Sequence, residues 1–103
     1  MTTTSYHHIE LDSSGVPWIS GANTKVVEIV AERLAYDWDA DQIHSQHPNL
    51  SLAQIHSALA YYYDHQQELD RDIERRLERA DKILSAPGAS TIRQKLRASR
   101  QRP

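Results

Sequence analysis

Two short stretches, Trp38-Asp39-Ala40-Asp41-Gln42-Ile43 and Leu50-Ser51-Leu52-Ala53-Gln54-Ile55, repeat one pattern. In each, an apolar residue precedes Asp or Ser, a Gln follows three positions later, and an Ile comes next. The Asp or Ser oxygen accepts from an otherwise unpaired amide of a first helical turn, the Gln reaches back to the cap amide, and the flanking apolar pair clamps the angle of approach. Both stretches therefore read as helix starts. Between them His47-Pro48-Asn49 must end the earlier helix, because proline cannot continue it and biases the preceding residue away from helical dihedrals. The second helix is predicted over Ala40–Gln46, and the third begins at Leu52.

Beyond Leu52, the residues Leu52, Ile55, Leu59, Tyr62, Gln66, Leu69 and Ile73 alternate at steps of three and four, and the stripe continues through Leu77, Ala80 and Leu84. Such alternation is a heptad seam. It predicts one extended third helix, and a helix of about 33 residues is about 50 Å long. Its half beyond Asp64 would overhang a small bundle, so a second copy of the chain, most simply in a homodimer, is expected to cover it. In the run Tyr61-Tyr62-Tyr63, Tyr62 falls on the core side by phase, with Tyr61 and Tyr63 flanking it.

Working back from Trp38, a helical period with Val27, Val30, Ala31 and Leu34 on one stripe predicts the first helix over Thr24–Tyr36. Before it, Asp12, Ser13, Ser14, Gly15, Pro17 and Gly21 punctuate two short apolar stretches, Ile9–Leu11 and Val16–Ile19, as a small β-hairpin or irregular arm would. Trp18 and Trp38 read as core filler. The chain divides into an arm or hairpin over 1–22, a tri-helical domain with an extended third helix over 23–84, and a basic flexible tail over 85–103 with at most a weak helical turn near Ile92–Leu96.

The 103 residues suffice for one modest domain. With no cysteine, a disulfide framework, a thiolate metal site and a cysteine nucleophile are excluded. No apolar run approaches the ~20 residues of a membrane span, and a cytoplasmic protein is expected. No phosphate loop, dinucleotide fingerprint or nucleophile elbow is present, so no catalysis and no cofactor are expected. Of six histidines, His44 with His47 and His7 with His8 make nitrogen pairs, but neither pair has the third ligand a metal site requires, and no metal is assigned.

A short capped helix, a tight turn and a second capped helix behind a first one is the arrangement of a helix-turn-helix. The stretch Gly15-Val16-Pro17-Trp18-Ile19-Ser20-Gly21, followed by His47-Pro48-Asn49-Leu50-Ser51 and Ala58-Leu59-Ala60-Tyr61-Tyr62, resembles domain-of-unknown-function family 433 over about residues 7–70. Where that family commonly reads Gly-Thr-Arg after the arm, this chain reads Gly21-Ala22-Asn23-Thr24-Lys25. The resemblance implies a mainly all-α, homeodomain-like fold. It also implies an antitoxin-like component of a toxin–antitoxin pair, one that neutralises a PIN-like nuclease and binds operator DNA. A structural or adaptor module without DNA binding is the other reading.

For DNA, the start of the third helix offers Ser51, Ala53, His56, Ser57 and Tyr61 as candidate contacts, with Lys25 keeping a positive charge near the arm. Against it, residues 24–63 hold only Lys25 and Arg33 as bases beside five acids, whereas phosphate contacts need a basic face. For a partner nuclease, the candidate docking residues are Leu69, Ile73, Leu77 and Leu84. Arg93, Lys95, Arg97, Arg100 and Arg102 of the tail are candidates to reach its carboxylate cluster. The charge is unevenly placed: residues 1–84 hold 7 bases against 14 acids, while residues 85–103 hold five bases and no acid.

Overall fold

The computed structural model describes residues 1–79 and 88–100. Strands β1 (Thr2–Thr3), β2 (Ile9–Leu11) and β3 (Pro17–Ile19) make a small antiparallel sheet in that order. The hairpin between β2 and β3 turns on Asp12. Its carboxylate accepts from the amides of Ser14 (2.8 Å) and Val16 (3.0 Å) and from the Trp18 indole (2.9 Å). Ile9 pairs with Ile19 in the ladder, and both are buried, so one face of the sheet joins the core. Of the hairpin or irregular arm that the turn residues left open, the hairpin is what forms, and β1 adds a strand that Thr2 and Thr3 gave little sign of.

Five helices follow: α1 (Val26–Tyr36), α2 (Ala40–Gln46), α3 (Leu52–Asp64), α4 (Gln66–Glu78) and α5 (Ala89–Arg100). Both predicted caps form. Asp39 accepts from the Gln42 amide (2.8 Å) while Gln42 accepts from the Asp39 amide (2.8 Å). Ser51 and Gln54 do the same at 3.1 and 2.8 Å. The turn between them is held by His44, whose Nδ1 donates to the Leu50 carbonyl at 2.7 Å.

Helix α1 is the hub, packing against β3, α2, α3, α4 and α5. Val26, Val27, Ile29, Val30 and Ala31 are all buried, on more sides than the single stripe read from the period. A helix enclosed by neighbours loses its amphipathic signature because most of its faces are interior.

The extended third helix does not form: the chain breaks at His65 into α3 and α4. His65 has φ −124° and ψ 33°. Its amide is shared between the carbonyls of Tyr61 and Tyr62, both at 3.0 Å, and its Nδ1 donates to the Tyr61 carbonyl at 2.9 Å. The break turns α4 back so that Leu69, Ile73 and Leu77 are buried in the same core as α1. Burying three such side chains contributes roughly 5–9 kcal/mol, which outweighs one or two distorted backbone hydrogen bonds at about 1 kcal/mol each.

Residues 85–103, expected as a flexible tail, carry α5, with Ile92 and Leu96 buried at 3% and 2% exposure. Gly88 begins it at φ +111°, a conformation side chains rarely adopt, and a Cβ there would lie 2.7 Å from the Cβ of Ala35. The described chain measures 32 × 29 × 29 Å, far less than a continuous third helix would need.

Candidate functional site

Helices α2 and α3 pack against each other, and α3 carries an exposed stripe. On α3 the core row is Ile55, Ala58 and Tyr62, with Leu59 half-buried beside it. The outer row is Ala53, His56, Ala60 and Tyr63, all exposed, with exposed Leu52 at its start. These spacings of three, four and three put the outer row on one side of the helix over about 15 Å. Tyr63 is 55% and Leu52 39% exposed, so two large apolar side chains sit in water at either end. Between Ser51 and Tyr63 there is no Asp, Glu, Lys or Arg.

Near Tyr63 the stripe meets a cleft of about 300 Å³ between the end of α1, the α3–α4 break and α5. Tyr62, Tyr63, Leu34 and Leu96 supply its apolar wall, and Arg33, Asp37 and Lys95 its charged rim. Asp37 ends α1 in the left-handed region at φ 57°. Its carboxylate takes a hydrogen bond from Lys95, which holds it below the usual carboxylate range. The Arg33 guanidinium donates to the Trp38 carbonyl at 3.3 Å.

The candidate DNA contacts are scattered by this geometry. Ala53 and His56 are exposed and Ser57 is half-buried. Ser51 is exposed, but its hydroxyl is occupied as the α3 cap. Lys25 is half-buried with its ammonium 4.8 Å over the Trp18 ring. Tyr61 is buried, stacked on His65 at 4.0 Å and met edge-on by Tyr6 at 5.1 Å. Burial, with Glu68 nearby, raises its hydroxyl above the ordinary range. Tyr61 is thus part of the joint between the N-terminal arm and the helix break, and it offers nothing to a groove.

The partner candidates divide in a similar way. Leu69, Ile73 and Leu77 are core residues of α4 and are covered within the chain. Arg93 and Arg97 are exposed on α5, and Arg93 donates to the Leu77 carbonyl at 3.4 Å. Lys95 is half-buried and paired with Asp37. Leu84 and Arg102 lie outside the described residues, and Arg100 is described only in its helical backbone. The sequence reading missed Leu52, Ala60 and Tyr63 as a stripe. The signal was the charge-free run from Leu50 to Tyr63, which the buried seam alone does not account for.

Other polar groups near the site serve the fold. His47 Nε2 reaches both Glu32 oxygens at 2.8 Å, tying the α2–α3 turn to α1. The Gln54 side-chain amide donates to the Ser20 carbonyl at 3.1 Å, fixing the arm against the start of α3. Among the described residues no group of three His, Asp or Glu side chains is placed to hold a metal ion, and no helix is long and apolar enough to cross a membrane. Residues 13–62 match the family described as protein of unknown function, DUF433. No curated protein and no solved structure matches the chain.

Proposed function

We propose that this member of the DUF433 family, assigned through residues 13–62, is a non-catalytic binding protein of the cytoplasm that docks another protein on the outer row of α3. The carrying observation is an exposed stripe with no charge, Leu52-Ala53-His56-Ala60-Tyr63, beside an apolar-walled cleft. Protein interfaces are depleted of charge at their centres and enriched in aromatic anchors, and Tyr63 at the mouth of a cleft fits that role. The antitoxin-like role implied by the family resemblance names the partner class as a PIN-like nuclease, which the chain would neutralise by covering it.

The test is whether an adjacent gene encodes a PIN-like nuclease and, with that nuclease purified, its titration with the chain. Tight binding and loss of nuclease activity are expected, with Ala60→Arg and Tyr63→Asp each weakening binding at least about tenfold. No binding by the wild-type chain, or wild-type binding by both variants, overturns the reading.

A second reading, a homeodomain-like helix-turn-helix that reads a DNA groove with α3, draws on the two capped helices and the tight turn between them. Its residues reduce to Ala53, His56 and Ser57. A genuine base contact by His56 would make His56→Ala cost ~1–3 kcal/mol on one sequence more than on random duplex. The seam from which a homodimer was expected is folded inward in its described part, where α4 packs against α1 and α5. A homodimer would pair through the same α3 row.

A further inference from the structure

The charges at the surface are segregated by element. Among the described residues, 1–65 expose Asp37, Asp39, Asp41 and Asp64 and no Lys or Arg. The exposed Arg side chains among the described residues lie further on: Arg71 and Arg75 on α4, Arg79 at its C-cap, and Arg93 and Arg97 on α5. Arg71, Arg75 and Arg79 are spaced by four, so they form one row along α4. Arg93 and Arg97 are spaced likewise on α5. The two helices pack together, and Arg93 and Arg97 line one shallow cleft with Glu74, Leu77 and Glu78 of α4.

Of the acids on α4, Glu74 and Glu78 share the cleft with Arg93 and Arg97. Asp72 lies between Arg76 at 3.3 Å and Arg75 at 3.7 Å. Glu74 is half-buried, and Glu68 and Glu78 are exposed. Five exposed guanidinium groups therefore stand against two exposed carboxylates. The Arg75 side chain is 62% exposed and its pairing with Asp72 is loose, so it can turn outward at little cost.

We propose that the joined outer faces of α4 and α5 bind the phosphate backbone of double-stranded DNA without reading its sequence. Arg71, Arg75, Arg79, Arg93 and Arg97 are the contacts. Guanidinium groups pair with phosphate oxygens as forks, and each neutralised phosphate releases condensed counterions, so the binding is set by salt. The exposed acids Asp37, Asp39, Asp41 and Asp64 are repelled by the same backbone, which biases the duplex toward the arginine rows. This surface shares no residue with the α3 row and stands or falls apart from it.

The test is fluorescence anisotropy of a labelled random-sequence 20-base-pair duplex with the full chain, from about 50 to 200 mM salt. Binding at low salt is expected, with log Kd rising on log salt at a slope of about 3 to 5. The pairs R71E with R75E, and R93E with R97E, are each expected to weaken binding at least about tenfold and to flatten that slope by about 2. Gln46→Glu, at an exposed position of α2, is expected to leave the slope unchanged. Circular dichroism melts of each pair establish that it folds, and either pair alone suffices for the decision. No binding at 50 mM salt, unchanged binding by a folded pair, or equal binding of polyglutamate overturns the proposal. Preference for single-stranded over duplex DNA also overturns it.

Discussion

Tyr62 points into the core and donates its hydroxyl to Asp70 at 2.8 Å, where both residues are at least nine-tenths buried. Burial, reinforced by the Asp70 carboxylate, pushes the Tyr62 hydroxyl far above its ordinary range. A folded-state value raised above the unfolded one contributes stability that is complete below about pH 10 and lost as pH rises beyond it. Stability measured by urea titration is therefore expected to fall on going from about pH 9 to pH 11, and Tyr62→Phe to make that fall shallower. At neutral pH the same variant should cost about 1–2 kcal/mol, because Asp70 loses a buried donor. At the acid end, Asp12 is held below the usual carboxylate range, first by the Trp18 indole and then by the Val16 amide. Its contribution is present above about pH 4 and lost below it. Asp12→Asn should flatten the acid limb of the stability profile, and an unchanged limb would remove Asp12 from that account.

The break at His65 makes α4 an internal helix, and this separates two outcomes at the scale of elements. Ile73 is fully buried within the chain. Ile73→Ala is expected to cost about 2–5 kcal/mol through the cavity left behind, with a melting temperature that does not depend on protein concentration. A concentration-dependent loss would instead place Ile73 at an interface between copies. The start of α5 depends on Gly88, for which both φ and the approach to Ala35 exclude a side chain. Gly88→Ala should cost about 1–3 kcal/mol, seen as early exchange of the α5 amides before global unfolding.

For the whole molecule, α5 is structural as well as charged. Cutting the chain after Ser85 removes Ile92 and Leu96 from the core together with the Arg93–Leu77 and Lys95–Asp37 hydrogen bonds. Two such side chains contribute roughly 3–6 kcal/mol, a large share of the stability of a domain this size. The truncated chain is expected to melt well below the full chain or to fail to fold. A truncation with an unchanged melting curve would return residues 85–103 to the status of a loose tail.

The cap of α2 and the cap of α3 were legible as sequence because each is closed by a side chain and an amide three residues apart, which no distant contact needs to arrange. The hairpin turn on Asp12 was legible for the same reason, and so was the core phase of Tyr62. The break at His65 was not. A three-four apolar alternation is the same string whether one helix presents it to a partner or two helices fold it inward. Only the arrival of α1 and α5 on Leu69, Ile73 and Leu77 makes the inward choice the lower in free energy. The surface roles followed from that choice. Once the seam had turned inside, Tyr61 was closed over by Tyr6, and Arg93 and Arg97 of α5 came to line a cleft with Glu74 and Glu78 of α4. Spacing along the chain states which residues share a helix face, and the packing of distant elements decides which of those faces remain in water.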